Sequence, residues 1–115
     1  MSRSVVIVDD EESIRILVGR VAQRKGYQEI FYAPNGIDGY STIEREHPDV
    51  IVTDVNMPRG DGISMMERVR GIEGYTPGLV VVMSGRDLPE AKSRLGSSYQ
   101  YIEKPDIIDP LMRLL

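Results

Sequence analysis

Four of the short apolar runs in this chain are each followed by a polar side chain that could do chemistry. In chain order these side chains are Asp9 and Asp10, Asp54, Ser84, and Lys104. Carboxylates held together repel one another unless a cation lies among them. The formal charges of the three acids and the lysine sum to −2, which one Mg²⁺ would balance. Oxygen ligands without His or Cys favour magnesium over zinc, so the sequence predicts a magnesium site that can receive a phosphoryl group.

Asp54 is the residue that we predict to react. It follows the apolar run 50–52, and a Pro and two Gly come within the next eight residues, so the backbone leaves the sheet there. A carboxylate at the end of a buried strand can attack phosphorus in line and become an aspartyl phosphate. The Lys104 ammonium and Mg²⁺ would stabilise charge on the phosphoryl oxygens, and the Ser84 hydroxyl would hydrogen-bond one of them.

The elements that must hold these side chains alternate between strand and helix patterns. Runs rich in apolar and β-branched residues predict strands at residues 5–8, 29–33, 50–52, 79–83 and 99–102. Apolar residues spaced three and four apart predict a helix after each strand. The alternation predicts an α/β fold: a parallel sheet with right-handed crossovers and helices on both faces. The first, third and fourth strands are the most apolar and should be central, with all carboxyl ends along one edge.

Residue types that favour helix ends predict the helix boundaries. Helix starts are predicted at Asn35 with Asp38, at Asp61 or Gly62, at Asp87 with Glu90, and at Asp109 followed by Pro110. Helix ends are predicted at Gly26 and at His47, because His47 precedes a proline. We expect the second helix to face the sheet with Ile37, Tyr40 and Ile43.

Size and composition limit the kinds of protein that this chain can be. Its 115 residues should form one domain, 1–115, with a core large enough to fold without disulfides. The absence of Cys excludes thiol catalysis and thiolate metal sites. A net charge of −4 argues against a nucleic-acid surface. The apolar run ahead of Asp9, residues 5–8, has only four residues, too few for a signal peptide or a membrane span, so we expect a soluble cytoplasmic protein.

As a set, these residues resemble the receiver domain of two-component response regulators over essentially the whole chain. The residues that carry the resemblance are Asp9-Asp10, Asp54-Val55-Asn56-Met57-Pro58, Gly62, Ser84-Gly85, Tyr101 and Lys104-Pro105. The fold that it implies is flavodoxin-like, with strand order 2-1-3-4-5. It also implies a cis peptide bond before Pro105.

The resemblance implies a role for each residue of the metal site. Asp54 would accept phosphate from a sensor histidine kinase, a phosphotransfer protein or a small acyl phosphate. Asp10 and Asp54 would bind Mg²⁺ or Mn²⁺ directly, Asn56 would lend its backbone carbonyl, and Asp9 would act through water. Lys104 would contact the phosphoryl group.

The resemblance further implies a switch. The Ser84 hydroxyl would move toward the phosphate, and the Tyr101 ring would rotate inward behind it, so that the surface signals to a partner or a fused output domain. The protein would catalyse only its own aspartyl phosphorylation and dephosphorylation. A homodimer is compatible with this role, and neither a membrane nor nucleic acid is expected as a partner of this domain.

Three departures from the family pattern flank the fourth helix, fifth strand and fifth helix, the face that carries output and dimerisation in relatives. The loop after Pro77 is long, and the segment between Ser84 and Tyr101 is slightly short. The last helix has room for fewer than two turns after Pro110. This short last helix leads us to expect that the chain is part of a longer protein.

Two other functions stay open on the sequence alone. A hydrolase of the haloacid-dehalogenase type also forms an aspartyl phosphate, but it expects its nucleophile after the first strand, an acid in place of Asn56 and a cap domain. A degenerate receiver could act only as a binding module, although it would not need the full set of charges. Taken individually, Ser84 could be a turn residue and Tyr101 a packed aromatic. Lys104 could be a solvated side chain that protects the edge of the sheet from pairing with another strand. The sequence contains no nucleotide-binding glycine motif.

Overall fold

The computed structural model describes residues 3–115, which alternate between strands and helices throughout. The strands are β1 (Ser4–Val8), β2 (Glu29–Ala33), β3 (Val50–Asp54), β4 (Leu79–Ser84) and β5 (Gln100–Glu103). The helices are α1 (Glu12–Arg24), α2 (Gly36–Glu46), α3 (Gly62–Val69), α4 (Leu88–Leu95) and α5 (Ile108–Leu114). Met1 and Ser2, part of the segment predicted to carry no leader, lie outside the described residues. Within 3–115, no helix combines the length and the apolar character needed to cross a membrane.

The strands are all parallel and pair in the order β2-β1-β3-β4-β5, which confirms the flavodoxin-like order. β1 has β2 on one side and β3 on the other, so the strand order reverses at β1. A crevice opens at the carboxyl ends of the strands at such a point. The register pairs Val8 with Thr53 and Asp54 with Met83, so the ends of β1, β3 and β4 are nearly level.

Helices cover both faces of the sheet and create two hydrophobic cores. Val6 and Val8 of β1 pack into the core on the side of α2, α3 and α4, whereas Val5 and Ile7 pack on the side of α1 and α5. All four side chains are fully buried. Burial on both faces explains why β1 is an uninterrupted apolar run, without the alternation of a half-exposed strand. The sheet is therefore a rigid base for the polar residues at its carboxyl edge.

Two helix starts and both predicted helix ends agree with the sequence pattern. Gly26, with a φ of 88°, follows the last turn of α1, and its N–H donates to the Gln23 carbonyl at 3.1 Å. Asn35 accepts a hydrogen bond from the Asp38 N–H at 2.8 Å, and Asp61 accepts one from the Ser64 N–H at 2.8 Å. α2 ends at His47, whose φ of 46° takes the backbone out of the helix ahead of the following proline. The start of α3 at Asp61 matters most for function, because the loop that precedes it leaves β3 directly after Asp54.

The predicted capping box of α4 is wrong. Asp87 precedes the helix, but its carboxylate makes no hydrogen bond to the first turn. Its backbone angles (φ −106°, ψ 21°) are not the extended ones that a capping side chain needs. The carboxylate instead accepts a hydrogen bond from the Asn56 side chain. Glu90 therefore has no capping partner at Asp87.

The prediction that Asp109 caps α5 is also wrong. The Ile107 carbonyl already accepts the Leu111 N–H at 3.0 Å, so Asp109 and Pro110 both lie within the first turn. Proline is tolerated there because the first N–H groups of a helix have no partner within the helix. α5 has seven residues, which confirms that the last helix is short.

The apolar face of α2 differs in part from the predicted one. Ile43 is fully buried and Tyr40 is partly buried, but Ile37 is 52% exposed. The reason is that the helix approaches the sheet at Gly39, where a Cβ would lie only 3.0 Å from the Val8 side chain. Close contact at Gly39 leaves the Ile37 side chain outside the core.

Candidate functional site

Residues at or just after the carboxyl ends of β1, β3, β4 and β5 line a cleft of about 420 Å³ at this edge of the sheet. Its lining residues are Asp10, Glu11, Asp54, Asn56, Gly85, Arg86 and Lys104. The predicted site residues Asp10, Asp54, Asn56 and Lys104 are thus brought together in one place. This meeting follows from the parallel sheet, because the elements that carry them share only their carboxyl edge.

Three carboxylates meet at this cleft. Asp9, Asp10 and Asp54 each have an oxygen within 4.8 Å of the oxygens of the other two. Asp9 is fully buried, Asp54 is 6% exposed and Asp10 is open to solvent. An all-oxygen set at this spacing suits a hard divalent cation such as Mg²⁺ or Mn²⁺. These three residues could therefore hold the predicted metal.

Lys104 supplies the positive charge that pairs with the acids of the site. Its Nζ lies 2.9 Å from Oδ2 of Asp9 and 3.3 Å from Oδ2 of Asp54. Its backbone N–H donates to the Ser84 carbonyl at 2.9 Å, which fixes the residue beside the end of β4. Burial by itself lowers the pKa of Lys104, but its contacts with the two acids outweigh burial, so the pKa is raised. The Lys104–Pro105 peptide bond is cis, as the resemblance implied.

Asp54 has an unusual protonation equilibrium for an aspartate. Burial raises its pKa, and the charge of Asp9 raises it further; Lys104 and the Val55 N–H lower it, and the result is about 6. The Val55 N–H donates to Oδ1 at 2.9 Å, while Lys104 faces Oδ2. Asp54 is thus mostly ionised at neutral pH and more basic than an exposed aspartate, as suits a nucleophile.

Close packing behind Asp54 fixes its backbone. A Cβ on Gly62 would lie 2.0 Å from the Asp54 carbonyl oxygen, so glycine is required where α3 begins. The Gly62 N–H donates to the Val55 carbonyl at 2.9 Å. The buried Thr53 hydroxyl donates to the Asp54 carbonyl, also at 2.9 Å. These contacts immobilise the backbone of Asp54 next to the cleft.

Ser84 is fully buried at the end of β4. Its Oγ accepts the Asp87 N–H at 2.9 Å and the Arg86 N–H at 3.3 Å. Within residues 3–115, no acceptor receives its hydroxyl hydrogen, so this hydrogen can be donated to a group that enters the site. Ser84 also anchors the loop that forms one wall of the cleft.

Tyr101 does not line the cleft. Its hydroxyl donates to the Gly96 carbonyl at 2.5 Å, and its ring lies 5.7 Å from Nζ of Lys92. The side chain is partly buried, and burial raises its pKa. In this arrangement Tyr101 is a packed aromatic that closes the turn after α4, and its switch role stays a prediction.

Three residues at or beside the cleft were not predicted. Glu11 was interpreted only as an acidic residue near a helix start, but it lines the cleft. Arg86 lines the opposite wall, and its guanidinium has no hydrogen bond or ion pair with any residue in 3–115. Asp87 binds Asn56 across the two loops. The one signal available in the sequence was their position within three residues of a strand end. This signal is weak, because the conformation of the loop decides which side chains reach the cleft.

A comparison with models of known protein families identifies the family of this chain. The model described as the response regulator receiver domain matches residues 5–114. The chain belongs to this family. Receiver domains are the phospho-acceptor domains of two-component systems, so this one is a signalling domain.

Similar proteins include receivers of different overall length. The chain is 31% identical over 108 residues to sporulation initiation phosphotransferase F of Bacillus subtilis (strain 168), a match that covers 93% of this chain and 86% of that protein. It is 30% identical to the alkaline phosphatase synthesis transcriptional regulatory protein PhoP of the same strain, covering 91% of this chain but only 43% of that protein. The solved structure of the chemotaxis response regulator CheY4 of Vibrio cholerae has 28% identity and a TM-score of 0.85, covering 99% of this chain and 96% of the other.

Proposed function

We propose that this receiver domain, residues 1–115, is a switch in which Asp54 is the phosphoacceptor. The observation that carries the proposal is that Asp54 shares one cleft with Asp10 and Lys104, while the buried Asp9 pairs with the same lysine. The phosphodonor is a sensor histidine kinase, a phosphotransfer protein or a small acyl phosphate. Such donors are made at the expense of ATP, so the proposal places the domain in the cytoplasm.

The chain's own residues account for the transfer step. A carboxylate oxygen of Asp54 forms a bond to phosphorus while the bond from phosphorus to the donor breaks, and the donor leaves with that electron pair. The Lys104 ammonium is already 3.3 Å from Asp54 Oδ2 and can follow the charge onto the phosphoryl oxygens. Ser84 can donate its unused hydroxyl hydrogen to one of these oxygens.

A divalent cation fits the carboxylate cluster. Asp9, Asp10 and Asp54 offer oxygens within 4.8 Å of one another, and the backbone carbonyl of Asn56 would complete the set. Bound there, Mg²⁺ or Mn²⁺ would neutralise charge that otherwise repels an anionic donor. We assign direct contacts to Asp10 and Asp54 and a contact through water to the deeper Asp9.

Phosphorylation would change the surface through Ser84 and Tyr101. An inward turn of the Tyr101 ring would break its hydrogen bond to Gly96, and a shift of the Ser84 hydroxyl would loosen the start of α4. The changed surface would signal to a partner, to a second copy of the chain or to a fused output domain, as the longer relatives suggest. Beyond its own phosphorylation and dephosphorylation we assign the domain no catalysis, and its net charge of −4 does not suit nucleic acid.

The hydrolase alternative has less support. Asp54 is the last residue of β3, whereas a haloacid-dehalogenase-type nucleophile lies at the end of the first strand. Asn56 stands where that mechanism needs a second acid. The alternative of a degenerate receiver that acts only as a binding module also has less support. Such a module would not need a lysine paired closely with two acids, as Lys104 is.

Labelling with acetyl phosphate and Mg²⁺ tests the proposal. The intact mass should rise by one phosphoryl group, and excess EDTA should prevent the rise. Asp54→Asn should abolish labelling, whereas Asp106→Asn, on the same edge of the sheet but outside the cleft, should label normally. Labelling that persists in Asp54→Asn at another residue would refute the assignment.

A further inference from the structure

One side-chain hydrogen bond joins the two walls of the cleft. Asn56 lies in the loop between β3 and α3, and Gly85 and Arg86 lie in the loop between β4 and α4. Nδ2 of Asn56 donates to Oδ2 of Asp87, the next residue of the second loop. We call this hydrogen bond the Asn56–Asp87 tie. It joins the loop that follows Asp54 to the loop that follows Ser84.

Asp87 is held from three directions. Its backbone N–H donates to Ser84 Oγ at 2.9 Å, and its carbonyl accepts the Ala91 N–H of α4 at 3.0 Å. Its side chain reaches across to Asn56. A displacement of any of these partners therefore acts on the other two through Asp87.

The Asp87 side chain points away from the first turn of α4 and toward Asn56. A carboxylate at the start of a helix is usually stabilised by the N–H groups of the first turn, and Asp87 makes no such bond. It lies instead near a cleft that already carries the acids Asp9, Asp10 and Asp54, where added negative charge is unfavourable. The hydrogen bond with Asn56 is the one favourable contact that this placement of the carboxylate gains among the described residues.

We propose that Asp87 is a positioning residue whose tie to Asn56 restricts access to Asp54. This inference rests on the proposed function. In dephosphorylation, a water oxygen forms a bond to phosphorus, and the bond from phosphorus to the Asp54 oxygen breaks. Asp54 recovers its carboxylate, inorganic phosphate leaves, and the proton of the water goes to phosphate or solvent. The water must enter opposite the Asp54 oxygen, that is, through the cleft, and the tie limits how far the two loops that line this cleft can separate.

A double-mutant cycle tests the tie. Each variant is phosphorylated with acetyl phosphate, the donor is removed, and loss of the phosphoryl group is followed by intact mass in excess Mg²⁺. We expect Asn56→Ala and Asp87→Ala each to raise the hydrolysis rate about five-fold, and the double variant to do no more than either. Asp87→Asn keeps an oxygen that can accept from Asn56 and should retain the wild-type rate. Asn56→Ala keeps its backbone carbonyl, so the proposed metal ligands are unchanged.

Two results would overturn the inference: rate increases that multiply in the double variant, or an Asp87→Asn rate equal to that of Asp87→Ala. Amide hydrogen exchange of residues 85–88 supplies a second measurement that needs no phosphorylation. In Asn56→Ala these amides, on the opposite wall, should exchange faster, and unchanged exchange would equally contradict the tie. A failure of the proposed function can be told apart from a failure of this inference. In the first case the wild-type chain carries no label on Asp54, and the amide exchange measurement still tests the tie.

Discussion

Removing the charge of Asp54 should make the metal-free protein more stable at neutral pH. The pKa of Asp54 is about 6 in the folded protein and 3.8 as a reference for the unfolded chain. Because the folded pKa is the higher one, the folded protein binds more protons between these values. The stability that protonated Asp54 contributes is therefore present below pH 3.8 and is lost as the pH rises through about 6. Asp54→Asn removes this loss.

The size of the gain follows from the pKa shift. A difference of about two pH units corresponds to about 3 kcal/mol, which is an upper bound. The open cleft mouth lets water screen the charge. The substitution also replaces the Oδ2 that Lys104 contacts, although the Val55 N–H can still donate to the amide oxygen. We therefore expect a net gain of about 1 to 2 kcal/mol in the free energy of unfolding at pH 7.

Urea denaturation in EDTA at pH 4.5 and pH 7 measures this effect. The variant should exceed the wild type clearly at pH 7 and only slightly at pH 4.5, where wild-type Asp54 is itself protonated. Asp106→Asn, an exposed residue outside the cleft, should differ little from wild type at either pH. Mg²⁺ should stabilise the wild type more than Asp54→Asn, since it would bind the folded carboxylate cluster. Equal stability differences at the two pH values, or a variant less stable at pH 7, would refute the reasoning.

Three further substitutions probe the supports of the site. Lys104→Met leaves the fully buried Asp9 without its cation, so the free energy of unfolding in EDTA should fall by about 3 kcal/mol; unchanged urea denaturation would contradict the ion pair. Gly62→Ala places a methyl carbon 2.0 Å from a backbone oxygen and should cost about 3 kcal/mol or more, seen as a lower thermal midpoint; a wild-type midpoint would show that α3 can move away. Tyr101→Phe removes the hydrogen bond to Gly96 and should destabilise by about 1 kcal/mol, with faster amide exchange at the end of α4; unaltered exchange there would argue against this contact.

The sheet could be predicted from the sequence because burial on both faces leaves a simple signature. Continuous apolar runs, such as residues 5–8 and 79–83, occur where a strand contacts helices on each side. Helix ends were predictable where a side chain could act on its own helix, as at Asn35 and Asp61. The start of α5 was not predictable from Asp109. This helix is capped by Ile107, an apolar residue that acts only through its backbone carbonyl, and no side-chain type marks such a start.

The charged part of the site was predictable for a related reason. Asp10, Asp54 and Lys104 lie at the carboxyl end of a strand or within two residues of it, and parallel strands bring their ends to one edge whatever the loops do. Arg86 and Asp87 lie two and three residues past the end of β4, in a loop where side-chain direction depends on contacts between loops that no spacing rule describes. The role of Tyr101 was undecidable for another reason, since a switch residue and a packed aromatic have the same sequence pattern.

Lys104 links events at the two strands that carry the acids. Its ammonium pairs with Asp9 and Asp54 together, and Asp9 is fully buried. The Arg15 guanidinium also lies beside Asp9, but it donates to the backbone carbonyl at 2.7 Å and not to the carboxylate. If the ammonium moves toward phosphoryl oxygens on Asp54, the Asp9 carboxylate loses its closest positive charge and requires another. A divalent cation bound in the carboxylate cluster would meet that requirement. Because the Lys104 N–H is bonded to the Ser84 carbonyl, the same movement would also pull on the end of β4, where Ser84 anchors the start of α4. Under the proposed function, phosphorylation, metal binding and the position of α4 would therefore be coupled through one ion pair.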